Sequence, residues 1–302
     1  MDSARDKLSG EIVDAEELLY LEEVDQEGYI CRGCKAKVIP ASFRPENKVR
    51  PYFRVPTEGH EEGCDVDAEP RLIAKGKKGK LSTERDGFPG SYPDRLVLRD
   101  TRDVVDPTAG TDDVIDGHHG RPAGGGEGGP TAKNRPRTAN TIRPICRTFI
   151  RFPYDRHLPL RVPGIDVQVY RQVFKKLKWE PVEYFAGNRI FYAAIQWAKP
   201  EENDQYLEIT LSAGLRGDNV WVQPYKVRIE WADWSKARRT AVKTEIEIAR
   251  EEARTATKEG NKEQKGYLFF IGEQGPEDPS IFRVYDHRLI CCIVDEIIYP
   301  KS

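Results

Sequence analysis

The chain has 302 residues, room for about two domains at roughly 100–200 residues each. With 38% hydrophobic and 32% charged residues, 25 Gly and 21 Pro, it holds apolar material for one good core but not for uniform packing along its length. Its 48 basic and 50 acidic side chains leave a net charge of −2, so a nucleic-acid surface would have to come from local segregation of charge.

The first residues, Met1-Asp2-Ser3-Ala4-Arg5-Asp6-Lys7, lack the apolar stretch of a secretory signal. No run approaches the length of a membrane-spanning helix, so no membrane association is expected. Of the six cysteines, three sit with a histidine at metal-ligand spacing and two are adjacent, Cys291 and Cys292, a usage that fits a reducing cytoplasm better than disulfides. Residues 1–70 read as a compact module. Ile12-Val13, Tyr29-Ile30, Val38-Ile39 and 52–55 are short extended candidates, and 17–21 fits either strand or helix.

Within this module the pattern is Cys31-x-x-Cys34 and, after 25 residues, His60-x-x-x-Cys64. Two intervening residues let both thiolates of a knuckle face one ion, and three do the same from a turn or helix start. Four protein ligands with no position left for water specify a structural Zn²⁺ site, and thiolate with imidazole is the donor set that suits zinc. A module this small buries little, so the metal would supply much of its folding free energy. The alternatives are a redox dithiol at Cys31 and Cys34, or unrelated thiols beside a surface histidine. A redox pair opens a helix after a strand, whereas here extended Val38-Ile39 follows.

The order Tyr29-x-Cys31-x-x-Cys34, an extended segment, Tyr52-Phe53, then His60-x-x-x-Cys64 resembles the N-terminal zinc-finger-like region of the competence protein CoiA and related bacterial proteins. The resemblance covers about residues 8–66. Where that pattern often reads His-Phe, this chain has Tyr52-Phe53. The resemblance implies a bacterial or phage-related protein that handles DNA. It carries over no nuclease, because the family's nuclease-like region lies downstream and has no counterpart here.

Residues 71–138 change composition: a lysine-rich start, acidic and Pro-rich pieces, then seven glycines within 117–130 around His118 and His119. Burial cannot offset the ordering entropy of so many glycines, so 71–138 is expected to be a flexible linker, with 95–98 a possible strand inside it.

Residues 139–302 are dense in structure. Apolar spacing predicts helices over 141–150, despite Pro144, and over about 166–177, the latter with Val169, Val173, Phe174 and Leu177 on one face. The period then becomes two, with strands expected at 189–197, 205–212, 220–231, 266–271, 281–285 and 289–294. A long helix, 235–258, separates the third from the fourth, its narrow seam formed by Val242, Ile246, Ala249, Ala253 and Ala256. Three strands, a helix and further strands is the connectivity of an OB-fold. The predicted class is therefore α+β: a small zinc-stapled N-terminal module plus a C-terminal OB-like β-barrel with short helices.

No catalytic residue is assigned. Glu208-Ile209-Thr210 lacks the lysine of a metal-nuclease strand, 225–230 carries its charges in the wrong order, and Asp295-Glu296 reads as a solvated strand end. His157 and His287 read as surface or capping groups. Cys291 and Cys292 point to opposite faces of a strand, one of them toward a core. Along 220–231, Lys226, Arg228 and Glu230 share a face with Val220 and Val222, opposite Trp221, Tyr225, Val227, Ile229 and Trp231. The candidate nucleic-acid contacts are Arg171, Lys175, Lys176 and Lys178 on the outside of the helix before the barrel, with Lys226 and Arg228 on the strand face. Arg147, Arg151 and Arg156 add to the basic excess nearby. The expected function is nucleic-acid binding, of DNA in a bacterial competence-like or phage-defence setting. The rivals are a protein-interaction adaptor whose partner is a protein, and a metal-dependent nuclease.

Overall fold

A computed structural model of the protein describes residues 1–56, 59–81, 92–99, 137–218 and 220–300. The first strands are two to four residues long. β1 (Ser3–Asp6) lies between β2 (Ile12–Asp14) and β3 (Tyr29–Ile30), antiparallel to both. β4 (Ile39–Ala41) pairs with β5 (Tyr52–Arg54), and α1 runs Asp65–Gly76. Residues Ala15–Tyr20 form a 3-10 turn, resolving the strand-or-helix ambiguity there; Glu17 accepts a hydrogen bond from the Asp14 N–H at 3.1 Å, fixing its start. Val13, Leu18, Tyr29, Val38, Phe53 and Val66 fill a small core around the buried Cys31.

Of the segment expected as linker, residues 71–76 complete α1, and β6 (Pro93–Leu96) pairs in parallel with β7 (Arg137–Ala139). The glycine-rich stretch with His118 and His119 lies outside the described residues. α2 (Arg143–Arg151) follows. Pro144 sits in its first turn, where a missing N–H breaks no helical bond. The helix expected over 166–177 is a single turn, α3 (Tyr170–Val173), which passes directly into β8 (Phe174–Lys176). The apolar spacing there suits a helix, but Phe174 pairs with Ile190 and Lys176 with Tyr192, and this parallel pairing overrides the local period.

β9 (Ile190–Ala194), β10 (Glu201–Glu202), β11 (Tyr206–Gly217) and β12 (Val220–Glu230) precede α4 (Lys236–Lys258). After it come β13 (Lys265–Phe270), β14 (Glu273–Gln274), β15 (Ile281–Val284) and β16 (Ile290–Asp295). They divide into two sheets, β16-β13-β9-β8 and β10-β11-β12-β15-β14, joined by an isolated antiparallel bridge between Ile195 and Leu211. The observed class is α+β; among the described residues the named ladders do not close into a single barrel. The first sheet is covered on both sides. Ile190, Tyr192, Phe269 and Cys291 face a core shared with α2, while Phe191, Leu268, Phe270 and Cys292 face a second core. Both adjacent cysteines are therefore buried, where a one-sided sheet would have buried one. The second core also takes Ile209, Tyr225, Val227, Ile229 and Phe282 from the other sheet. Ser235 caps α4, its Oγ accepting from the Arg238 N–H at 3.3 Å, and the seam Val242, Ile246, Ala249, Ala253 and Ala256 is buried as its spacing predicted.

The N-terminal part packs on α2 and α4 through a buried ionic seam. Arg147 reaches Glu16 at 2.5 Å and Asp14 at 3.5 Å. Arg143 bridges Glu16 and Glu245, Arg151 pairs with Asp2, and Arg50 pairs with Glu252 at 2.6 Å. No helix among the described residues is long and apolar enough to cross a membrane.

Candidate functional site

The turn after β3 carries Cys31 and Cys34. The Cys31 N–H donates to the Ala36 carbonyl at 2.7 Å and the Gly33 N–H points at Cys31 Sγ at 3.4 Å, so the knuckle is closed by its own backbone. Lys35 has φ of 61°, a left-handed conformation that turns the chain sharply after the second thiol. Cys64 is the residue preceding α1, so the start of that helix fixes the position of its sulfur.

These segments bring all four predicted ligands together. Cys31 Sγ lies 3.7 Å from Cys64 Sγ, and His60 Nδ1 lies 3.4 Å from Cys34 Sγ and 3.5 Å from Cys64 Sγ. All ligand atoms fall within 4.8 Å of one another. A tetrahedral ion with metal–sulfur bonds of about 2.3 Å and metal–nitrogen bonds of about 2.0 Å needs ligand separations of roughly 3.5–3.8 Å. The donor set and its spacing fit a metal ion, which Cys31, Cys34, Cys64 and His60 Nδ1 would hold. Burial pushes the Cys31 thiol up to about 11. At Cys34 burial works the same way but is outweighed by hydrogen bonds from the Ala36 N–H, His60 and the Glu61 N–H, which bring the thiol down to about 6. The four side chains thus already include one that ionises readily.

The predicted basic contacts scatter. Arg171 lies on α3 and Lys175 and Lys176 on β8, so they do not share a helix face, although all three are exposed. Lys175 Nζ sits 5.4 Å above the Phe185 ring, Lys176 Nζ 4.7 Å above Tyr299, and Lys178 pairs with Glu180 at 3.4 Å. Lys226 and Arg228 converge on one carboxylate, Glu208, at 2.7 and 2.6 Å. Glu208 is 4% exposed; burial raises its pKa, but the hydrogen bonds from Lys226 and Arg228 prevail and hold it below the usual carboxylate value. Both cations on that strand face are therefore engaged with a carboxylate of the neighbouring strand. Arg147 and Arg151 serve the ionic seam, and Arg156 stacks 3.8 Å above the Phe149 ring.

An unforeseen patch lies where β11 turns into β12. Trp179, 64% exposed, meets Trp221 edge-on at 6.1 Å, and the Arg216 guanidinium lies 5.2 Å from the first ring and 5.8 Å from the second. The Gly214 N–H donates to the Lys178 carbonyl at 2.8 Å and Trp179 Nε1 to the Ser212 carbonyl at 2.8 Å, tying the basic segment 175–178 to the hairpin. Val220 and Val222 stand exposed beside it. The sequence signal was apolar residues on both faces of a strand next to a turn, a pattern a core strand alone does not require. Set against known proteins, the chain matches no family model, no curated protein and no solved structure.

Proposed function

We propose that this chain is a zinc-containing nucleic-acid-binding protein, with zinc in the Cys31, Cys34, His60 and Cys64 cluster fixing the N-terminal module and the β11–β12 hairpin contacting the strand. Three thiolates and an imidazole suit zinc among the available divalent ions, and four protein donors leave no position for substrate. The OB-like reading of the strand region draws support from a continuous run of pairs: β14 with β15, β15 with β12, β12 with β11, β11 with the end of β9 through the Leu211–Ile195 bridge, and β9 with β13, while no ladder among the described residues joins β13 to β14. In such folds the second and third strands carry the binding face.

The observation that carries the proposal is the Trp179–Arg216–Trp221 cluster, joined through the Lys178 carbonyl to the chain segment that carries Lys175, Lys176 and Lys178. Exposing the Trp179 indole and two valines beside the half-buried Trp221 is unfavourable unless a partner covers them, and base stacking on aromatic rings with cations tracking the backbone is one way to do so. The resemblance of the cysteine segment to the CoiA-type finger points to DNA as the polymer. Binding of fluorescent single- and double-stranded oligonucleotides, measured by anisotropy across a salt series, tests the reading. Arg216 and the three lysines give an expected log–log salt slope of about −3 on a single strand, at about −0.7 per phosphate neutralised. Trp179→Ala combined with Arg216→Ala should weaken binding about tenfold to a hundredfold. Affinity indifferent to salt and to the double variant would refute it. Absence of binding by either oligonucleotide would leave exposed Val220 and Val222 as an apolar face for a protein partner, the adaptor reading.

A further inference from the structure

A cleft of about 390 Å³ opens between the 3-10 turn Ala15–Tyr20, the residues leading into α4, and the short turn His287–Leu289. It lies at the Glu230 end of β12, away from the Trp221 patch at the other end of the same strand. Its wall is aromatic. His287, expected at the surface or a cap, is flanked by Tyr20, tilted at 40° with ring centroids 4.7 Å apart, and by Trp234, which meets it edge-on at 5.8 Å. Burial brings the His287 pKa down to about 4, so the imidazole is neutral at physiological pH. Trp234 is held in place by its Nε1 donating to the Tyr285 carbonyl at 3.1 Å.

The charges around this wall are not equivalent. Arg99 pairs with Glu11 at 3.1 Å, Arg288 with Asp286 at 2.6 Å, and Arg143 with Glu16 and Glu245. Arg238 lines the same cleft, is exposed, and makes no ion pair among the described residues. It stands in the first turn of α4 with Lys236 and Arg239, and that turn has no acidic residue. Cations there oppose the helix dipole, and an anion at that position would relieve both. Asn140 and Glu17 add a donor and an acceptor at the rim.

We infer that this cleft binds a nucleoside phosphate, its base against Tyr20, Trp234 and His287 and its phosphate on Arg238 at the start of α4. An aromatic wall, an unpaired cation at one end and mixed polar groups at the rim are the complement of a flat heterocycle linked to a phosphate, and the volume lies within the range of small-ligand sites. The site is independent of the hairpin patch.

Isothermal titration of the full chain with each of AMP, GMP, CMP and UMP is the test, with inorganic phosphate and the corresponding nucleosides as partial probes. At least one nucleotide should bind saturably with one-to-one stoichiometry, about tenfold or more tighter than phosphate or nucleoside alone. Arg238→Glu should weaken it about tenfold, the loss of one charge-assisted contact. That variant places an acid in the first turn of α4, so its melting temperature should not fall, which separates loss of binding from loss of fold. The Trp179→Ala, Arg216→Ala double variant should bind the nucleotide like the parent. Displacement of bound nucleotide by a 5′-phosphorylated oligonucleotide would assign the site to a strand end, and retention would assign it to the free nucleotide. No saturable binding at millimolar nucleotide, equal affinity for phosphate alone, or indifference to Arg238→Glu would overturn the inference.

Discussion

A methyl group on Gly33 would sit 3.0 Å from Cys64 Sγ and 3.2 Å from Val66 Cγ2, so a side chain there would press directly on the last ligand. Gly33→Ala should lower metal affinity about tenfold in a chelator competition, the usual scale for disturbing a ligand's surroundings, while Gly79→Ala, with open space around it, should not. Cys34→Ser should abolish stoichiometric metal by elemental analysis. Chelator treatment of the parent should lower its melting temperature, since metal binding and folding of so small a core are linked. These ligands were legible because their chemistry fixes their spacing. Glu208 was not, since nothing in its neighbours along the chain announces that Lys226 and Arg228 fold over it. With its folded pKa below the ordinary 4.5, Glu208 stabilises the native state above that pH and loses this contribution as pH falls through the folded value. Glu208→Gln should flatten that part of the acid limb when denaturation midpoints are compared at pH 7 and pH 4.

Between Thr210 and Gly214 the pairing of β11 with β12 shifts register, and Gly214 takes φ of +109° with space for a Cβ only 2.4 Å from the Gln223 carbonyl oxygen. This irregularity sets the direction in which Arg216 and Trp221 leave the sheet. Gly214→Ala should destabilise the protein by about 1–3 kcal/mol, from the strained backbone alone, and weaken oligonucleotide binding by misplacing Arg216 against Trp179. Gly275→Ala, where nothing lies within 4 Å of an added methyl, should do neither; thermal melts and anisotropy measure both. α4 could be read from its seam, because one long helix with a single buried stripe has no competing period. Residues 166–177 could not: four apolar residues at helical spacing also serve a one-turn helix followed by an edge strand, and only the distant partner β9 decides.

The seam between the N-terminal part and α2 and α4 is the feature least accessible to sequence reasoning, because Glu16, Arg143 and Glu245 come from separate regions of the chain. Arg143 is 5% exposed, and removing it leaves the buried Glu245 without its cation while Glu16 keeps Arg147, so Arg143→Ala should cost about 3–5 kcal/mol in chemical denaturation. Acid should loosen the same seam. Burial raises the Glu16 carboxyl, but Arg147, Arg143 and Arg50 hold it lower overall, and Arg147 above all lowers Asp2, so both stabilise the docked form at neutral pH and cease to do so as they protonate. Burial drives Asp14 the other way, tempering the effect. The sheet β16-β13-β9-β8 separates two cores and supplies side chains to each, so neither core can open without exposing one face of the shared strands. Cys291 and Cys292 consequently form a paired reporter, each thiol sealed behind a different wall. With a thiol-reactive dye and mass spectrometry of their common peptide, appearance of the doubly labelled form without a singly labelled precursor would mark concerted opening, and a single label appearing first would identify which half of the molecule breathes.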